Sequence, residues 1–149
     1  MKEIYGDAWK LAEEFDVLFI TTNGTIKKNN EGVMGRGIAA QAKYQYPIIT
    51  RVLGEKIRRR GNVPSLLIER MRGSLWSFPV KHEWQQNADI NLIVDSCQRV
   101  LKEFHGVEGT FLLPRPGCGN GGLDWREVKK IIEPILDDRF YVVHFKEEQ

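Results

Sequence analysis

Apolar residues along the chain follow two rhythms. In one, neighbouring positions are apolar together over four to six residues, with β-branched and aromatic side chains frequent, which predicts strands buried on both faces. Val17–Thr22, Thr110–Leu113 and Phe140–Phe145 read this way. Ser65–Ile68 and Leu75–Val80 form a further pair around a turn at Arg72-Gly73-Ser74, and Lys2–Tyr5 is a short edge strand. In the other rhythm apolar residues recur every three or four positions, which predicts helices. Ile38–Lys43 is a short one. Pro47–Arg60 carries Ile49, Val52, Leu53 and Ile57 on one face and stops at Gly61. Ala88–Phe104 carries Ile90, Ile93, Val94, Cys97, Val100, Leu101 and Phe104 and stops at Gly106. A last helix buries Trp125, Val128, Ile131, Ile132, Ile135 and Leu136. Asp124 and Glu127 have capping-box spacing at its start, and Pro134 kinks it or limits its pairing. Asp7 is placed to cap a turn over Ala8–Glu14. Thr25–Glu31 has the composition of a mobile surface loop.

Strands alternating with helices predict a three-layer α/β/α domain with a mixed, largely parallel sheet. Two glycine-rich segments interrupt the alternation, each after a strand and before a helix. The first is Gly32-Val33-Met34-Gly35-Arg36-Gly37. The second is Pro114–Glu127, with Gly117, Gly119, Gly121 and Gly122 inside six residues. Such loops turn several backbone N–H groups toward one anion beside a helix N-terminus. Neither is a Walker A or dinucleotide-fold fingerprint. A glycine-rich turn without a ligand has the same spacing. In a parallel α/β sheet both loops gather at the carboxyl ends of the strands, which suits a diphosphate lying between two larger groups.

Composition narrows the picture. With 149 residues the chain fits one domain with one core. At 42% hydrophobic and 28% charged it is an ordinary globular sequence. No apolar run approaches the ~20 residues of a membrane span, and MKEIYGDAWK lacks the shape of a signal peptide. A net charge of +2 does not by itself argue for nucleic acid. Cys97 and Cys118, without a CxxC or a Cys/His cluster, argue against a disulfide framework or zinc and fit a reducing, cytoplasmic compartment. The expectation is a monomer with no metal, cofactor or membrane partner.

Several segments, in this order, resemble the macrodomain family, the ADP-ribose-binding fold. Gly6-Asp7, Thr21-Thr22-Asn23, Gly32-Val33-Met34-Gly35-Arg36-Gly37-Ile38-Ala39, Phe78-Pro79-Val80-Lys81-His82-Glu83-Trp84 and Pro114 through Trp125 carry the likeness. They look most like the branch that contains the DarG antitoxin and the human terminal ADP-ribose glycohydrolase, and they run over nearly the whole chain. The resemblance implies a free-standing macrodomain, residues 1–149, that binds ADP-ribose and hydrolyses its link to an acceptor. In the DarG branch the acceptor is a DNA base; in the human relative it is an acidic side chain. A binding module without turnover and an ADP-ribose 1″-phosphate phosphatase are the alternatives.

Lys81 is the first catalytic candidate, because it follows an apolar strand and so belongs at a strand's carboxyl end. Deprotonated, it could attack the anomeric carbon; protonated, it could stabilise a leaving group or phosphate. A solvated strand-end lysine is the plain reading of the same position. Asn23 is the second candidate, orienting a water or the distal ribose, or simply turning the chain beside Gly24. The resemblance puts ligand contacts at Asp7 and Ala8 for adenine, at Asn23, and at Gly32, Val33, Met34, Gly35, Arg36 and Gly37 in the first loop. It adds Gly117, Cys118, Gly119, Asn120, Gly121, Gly122 and Leu123 in the second loop, with the Cys118 N–H facing phosphate. Phe145 is placed to pack on adenine or in the core. The aspartate that resolves a lysine adduct in the human relative aligns with Gly121 here. His82 and Glu83 adjoin Lys81 and are possible proton carriers. Trp76 and Trp84 are candidate stacking surfaces for a base. Arg58-Arg59-Arg60 reads as a solvated helix end or as a DNA-contacting patch.

Overall fold

The computed structural model of the chain describes residues 1–145. In chain order the elements are β1 (Lys2–Tyr5), α1 (Ala8–Leu11, extended by a 3-10 turn over Ala12–Glu14), β2 (Val17–Asn23), α2 (Gly37–Gln45), α3 (Ile49–Arg60), β3 (Leu66–Arg70), β4 (Gly73–Lys81), α4 (Ile90–Glu103), β5 (Phe111–Pro114), α5 (Trp125–Ile132) and β6 (Phe140–His144). The strands form one sheet in the order β1-β6-β5-β2-β4-β3. Every neighbouring pair is parallel except β3 with β4. The sheet is mixed and largely parallel, as the alternation of elements predicts.

The layering follows from the period of two in the central strands. Val17 and Phe19 of β2, Phe111 and Leu113 of β5, and Phe140 and Val142 of β6 face one core, closed by Ile93, Cys97 and Val100 of α4 and Val128 and Ile132 of α5. Phe19 lies at its centre, with ring contacts to Phe78, Phe104, Phe111 and Phe140. Leu18 and Ile20, Leu112 and Val143 face the other way, onto Ala39, Ala42, Ile49 and Leu53 of α2 and α3. Strands buried on both faces are what a continuous apolar run requires.

Some boundaries differ from expectation. The β3–β4 turn is Met71-Arg72, and Gly73 already pairs with Arg70. Pro134 does not kink α5: the helix ends at Ile132, two residues before a ring that could not continue the backbone pairing. Ile131 is exposed, because α5 is too short to bury so wide a face. Asp124 caps α5 by accepting from the Arg126 N–H at 2.8 Å. Residues 25–31 are stitched rather than loose: Lys27 N–H donates to Glu31 O, Asn30 N–H to Lys27 O, and Ile26 pairs with Gly32. This loop lies against α3, where the Asn30 carbonyl occupies the space a side chain at Gly54 would need.

Candidate functional site

Five parallel strands point their carboxyl ends to one rim. Read across the sheet, that rim carries Asp7 after β1, Phe145 after β6, residues 115–124 after β5, Asn23 and then the first glycine loop after β2, and Lys81 at the end of β4. At about 4.8 Å per strand the row from β1 to β4 is roughly 19 Å long.

Both glycine loops meet at its middle. A Cβ on Gly37, whose φ is +58°, would lie 3.7 Å from the Asn120 side-chain nitrogen. Gly37, Ile38 and Ala39 open α2, and no side chain caps that end. Their N–H groups, and that of Asn120, have no acceptor among the described residues, whereas the 3-10 turn over Gly119–Gly121 directs the Gly121 N–H at Cys118 O and the Cys118–Leu123 bridge directs the Gly119 N–H at Leu123 O. The remaining N–H groups of the second loop are spent on its own shape: Gly122 donates to Gly119 O and Leu123 to Gly117 O. Gly117, Gly119 and Gly122 all take positive φ, near +80°, which only glycine adopts freely. Four N–H groups without an acceptor, at and beside a helix N-terminus, are an arrangement that suits an anion.

Two members of the expected set behave differently. Met34 is buried in the α2–α3 core, so its side chain does not face the rim. Cys118 donates its N–H to Arg115 O at 3.3 Å, which takes that group away from an anion. Burial also pushes its thiol up to about 11, away from the thiolate a nucleophile needs. Cys97 is a core residue whose thiol burial pushes up to about 12. Gly32 and Val33 sit at the inner end of the first loop: Gly32 packs against Leu53, and the Val33 carbonyl accepts from Asn23. Gly35 and Arg36 are exposed at its tip.

At the β4 end, Asn23 and Lys81 are register partners across the β2–β4 pair. Thr22 pairs with Pro79, so Val80 is an extra residue, a bulge that re-aims the strand end. The Asn23 side chain is already committed. Its Nδ2 donates to Val33 O at 3.0 Å and its Oδ1 accepts the Thr25 N–H at 3.0 Å. Lys81 Nζ donates to the Trp84 carbonyl at 3.3 Å. β4 stops at Lys81, so strand alternation does not govern His82 and Glu83. His82 Nε2 contacts Asp89 Oδ2 at 2.8 Å. The hydrogen bonds from His82 and from the Asn91 N–H hold the Asp89 carboxyl below its ordinary value. Glu83 lies in an exposed turn with Gln86. Trp84 is exposed at the rim, whereas Trp76 packs on Phe104 inside the core and cannot reach a ligand.

At the β1 end, Asp7 Oδ1 accepts the N–H groups of Trp9 and Lys10. Oδ2 makes no hydrogen bond with the described residues. Gly6 N–H donates to His144 O, which carries the β1–β6 pairing to the rim, where Phe145 follows β6 as Asp7 follows β1. Phe145 is exposed, not core. Arg58 and Arg59 pair with Glu55, and Arg60 donates to Pro64 O and Ser65 Oγ; the helix end they form leads into Asn62, whose Nδ2 donates to Lys81 O at the β4 end of the rim. Among the described residues no group of three or more His, Cys, Asp or Glu could hold a metal ion, and no helix is long and apolar enough to cross a membrane.

No family model matches the chain. Among curated proteins it is similar to the DNA ADP-ribosyl glycohydrolase of Thermus aquaticus, 30% identical over 117 residues, which cover 73% of this chain and 32% of that protein. Among solved structures it is similar to the macrodomain of Mycobacterium tuberculosis DarG, with a TM-score of 0.72, 25% identity, and coverage of 97% of this chain and 98% of that one. The chain belongs to the macrodomain family. Within macrodomains its likeness is to the DarG branch. Thermosipho africanus DarTG, solved in complex with ADP-ribose, superposes with a TM-score of 0.79 at 22% identity, over 100% of this macrodomain and 43% of that chain. This macrodomain spans about a third of the length of the curated relatives it matches.

Proposed function

We propose that this macrodomain binds ADP-ribose along the strand-end row and hydrolyses its bond to an acceptor, the acceptor being a nucleic-acid base. The observation that carries the reading is the order of groups along the rim. An exposed aromatic and a carboxylate oxygen stand at one end, four unpaired N–H groups at the middle, and a lysine opposite an asparagine at the other. In this arrangement Asp7 and Phe145 take the adenine, the N–H groups of Gly37 through Ala39 with that of Asn120 take the diphosphate, and the distal ribose falls beside Lys81. The names of the curated relatives support the same activity and a DNA acceptor.

In the reaction, water oxygen bonds to the anomeric carbon, the bond from that carbon to the acceptor breaks, and a proton passes to the departing atom. The Lys81 Nζ, a donor at the ribose end, supplies that proton or the positive charge that stabilises the departing group. A lysine adduct resolved by a loop aspartate is disfavoured, because the chain carries Gly121 where the resemblance puts that aspartate. That same observation favours the second reading, a binding module without turnover.

The test is hydrolysis of three substrates, ADP-ribosylated DNA, ADP-ribosyl-glutamate protein and ADP-ribose 1″-phosphate, by the wild type and by Lys81→Ala. Release from DNA that disappears in Lys81→Ala, with ADP-ribose binding retained, is the expected result. Binding without release from any substrate would leave the module reading. Phosphate release from the third substrate alone would make the protein a phosphatase.

A further inference from the structure

Four hydrogen bonds link the first glycine loop to Lys81. Asn23 Nδ2 donates to Val33 O at 3.0 Å, and the Thr25 N–H donates to Asn23 Oδ1 at 3.0 Å. The Trp84 N–H donates to Thr25 Oγ1 at 2.9 Å, and Lys81 Nζ donates to Trp84 O at 3.3 Å. The one side chain in this chain of bonds that no ligand role accounts for is Thr25. It lies 59 residues from Trp84 in sequence and makes the only hydrogen bond between the 25–31 loop and the Lys81–Trp84 turn among the described residues.

We propose that Thr25 is a positioning residue: its hydroxyl fixes the turn after β4 and thereby holds both the Lys81 ammonium and the exposed Trp84 ring at the ribose end of the rim. The physical reason lies in what else restrains that turn. The Lys81 carbonyl accepts from Asn62 Nδ2 and the His82 carbonyl from the Gly24 N–H, so the strand end itself is tied down. Beyond His82 the chain is solvent-exposed as far as Asn87; His82 contacts Asp89, Glu83 N–H donates to Gln86 Oε1 and Gln86 N–H to Glu83 O, and none of these bonds is made by the Trp84 peptide groups. Between those ties, the carbonyl that receives the Lys81 Nζ belongs to the residue whose N–H Thr25 accepts. Loss of the Oγ1 acceptor frees that peptide group to rotate, and the ammonium loses its anchor. A methyl in place of the hydroxyl fills the same volume and cannot accept. The inference rests on Lys81 being the working amine of the proposed activity.

The experiment uses the full chain with Thr25→Val, Thr25→Ala and Thr25→Ser. Reductive methylation at limiting formaldehyde is followed by peptide mass spectrometry, with the Lys81 rate referred to that of Lys102, exposed on α4. Thr25→Val should raise the relative rate at Lys81 by about three- to tenfold, the population change that follows from losing one hydrogen bond. Thr25→Ala should match it, and Thr25→Ser should stay at the wild-type rate. In the hydrolysis assay kcat should fall about ten- to a hundredfold in Thr25→Val, with ADP-ribose affinity and melting temperature unchanged, as misplacement of a reacting group predicts. An unchanged Lys81 rate in both Thr25→Val and Thr25→Ala overturns the inference, and so does a Thr25→Ser variant that behaves like Thr25→Val. If the wild type cleaves none of the substrates, the hydrolase reading fails, while the labelling rates still decide whether Thr25 anchors Lys81.

Discussion

Replacing Gly121 by alanine will destabilise the protein through a single methyl–methyl overlap. Gly121 is buried and lies outside the positive-φ region, so alanine suffers no backbone penalty there. The cost comes from Ala88, whose Cβ would lie 2.9 Å from the new one. Carbon atoms rest at about 3.5–4.0 Å, and neither methyl has a torsion through which to escape. The backbone must therefore shift, although the Ala88 N–H donates to Gly121 O at 2.9 Å and ties the two segments together. Overpacking of this kind costs about 1–3 kcal/mol, and loss of glycine freedom in the unfolded chain returns about 0.4–1 kcal/mol. The net of about 1–2 kcal/mol corresponds to a fall of roughly 2–8 °C in Tm for a domain of this size. The decisive assay is thermal unfolding of a double-mutant cycle with Ala88→Gly, which removes the opposing methyl. In that background Gly121→Ala should cost nothing or stabilise slightly, giving a coupling of about 1–3 kcal/mol. A wild-type Tm for Gly121→Ala, or the same loss in both backgrounds, would refute the reasoning.

Two further predictions concern the flanks of the second loop. Glu3 accepts from Lys129 Nζ at 2.6 Å and from Trp125 Nε1 at 2.9 Å, with Arg115 at 3.9 Å. Burial pushes its carboxyl up, but these donors and charges outweigh that and leave it below its ordinary value. Its contribution is therefore present above about pH 4.5 and lost as pH falls through the lowered value. Glu3→Gln should cost about 0.5–1 kcal/mol at pH 7, discounted for the carboxylate's one-third exposure, and should flatten the acid limb of the stability curve; an unchanged limb counts against the cluster. For Cys118, a thiol near 11 leaves about one molecule in a thousand as thiolate at pH 8. Iodoacetamide should label it slowly and Cys118→Ser should keep the wild type's hydrolysis; rapid labelling with loss of activity would restore a chemical role for the thiol.

The parts of this molecule that could be read from the sequence are those whose signal is local. Runs such as Val17–Thr22 show strands buried on both faces, and the glycines at 117, 119 and 122 mark positive φ within a few residues of each other. Lys81 could be placed at a strand end because the apolar run before it stops there. The misreadings come from the third dimension. Loop membership could not tell that the Met34 side chain turns into the core. Composition made Thr25–Glu31 look loose, although Gly54 on α3 receives it. Register between strands is not written in either strand alone, so the opposition of Asn23 to Lys81 and the extra residue at Val80 were illegible. The Thr25–Trp84 bond spans the β2–β4 seam and was invisible for the same reason.

The pairing of β1 with β6 gives the rim a timetable. Lys2 lies opposite Tyr141 and Tyr5 opposite His144, so β1 waits for β6, made well over a hundred residues later. The elements that carry both glycine loops and Lys81 are synthesised before β6 and can assemble around β2. The end formed by Asp7 and Phe145 needs a closure spanning almost the entire chain, the kind of contact that forms late. During synthesis the two glycine loops can thus come together while the end formed by Asp7 and Phe145 is still open, so the rim is completed from its middle outward.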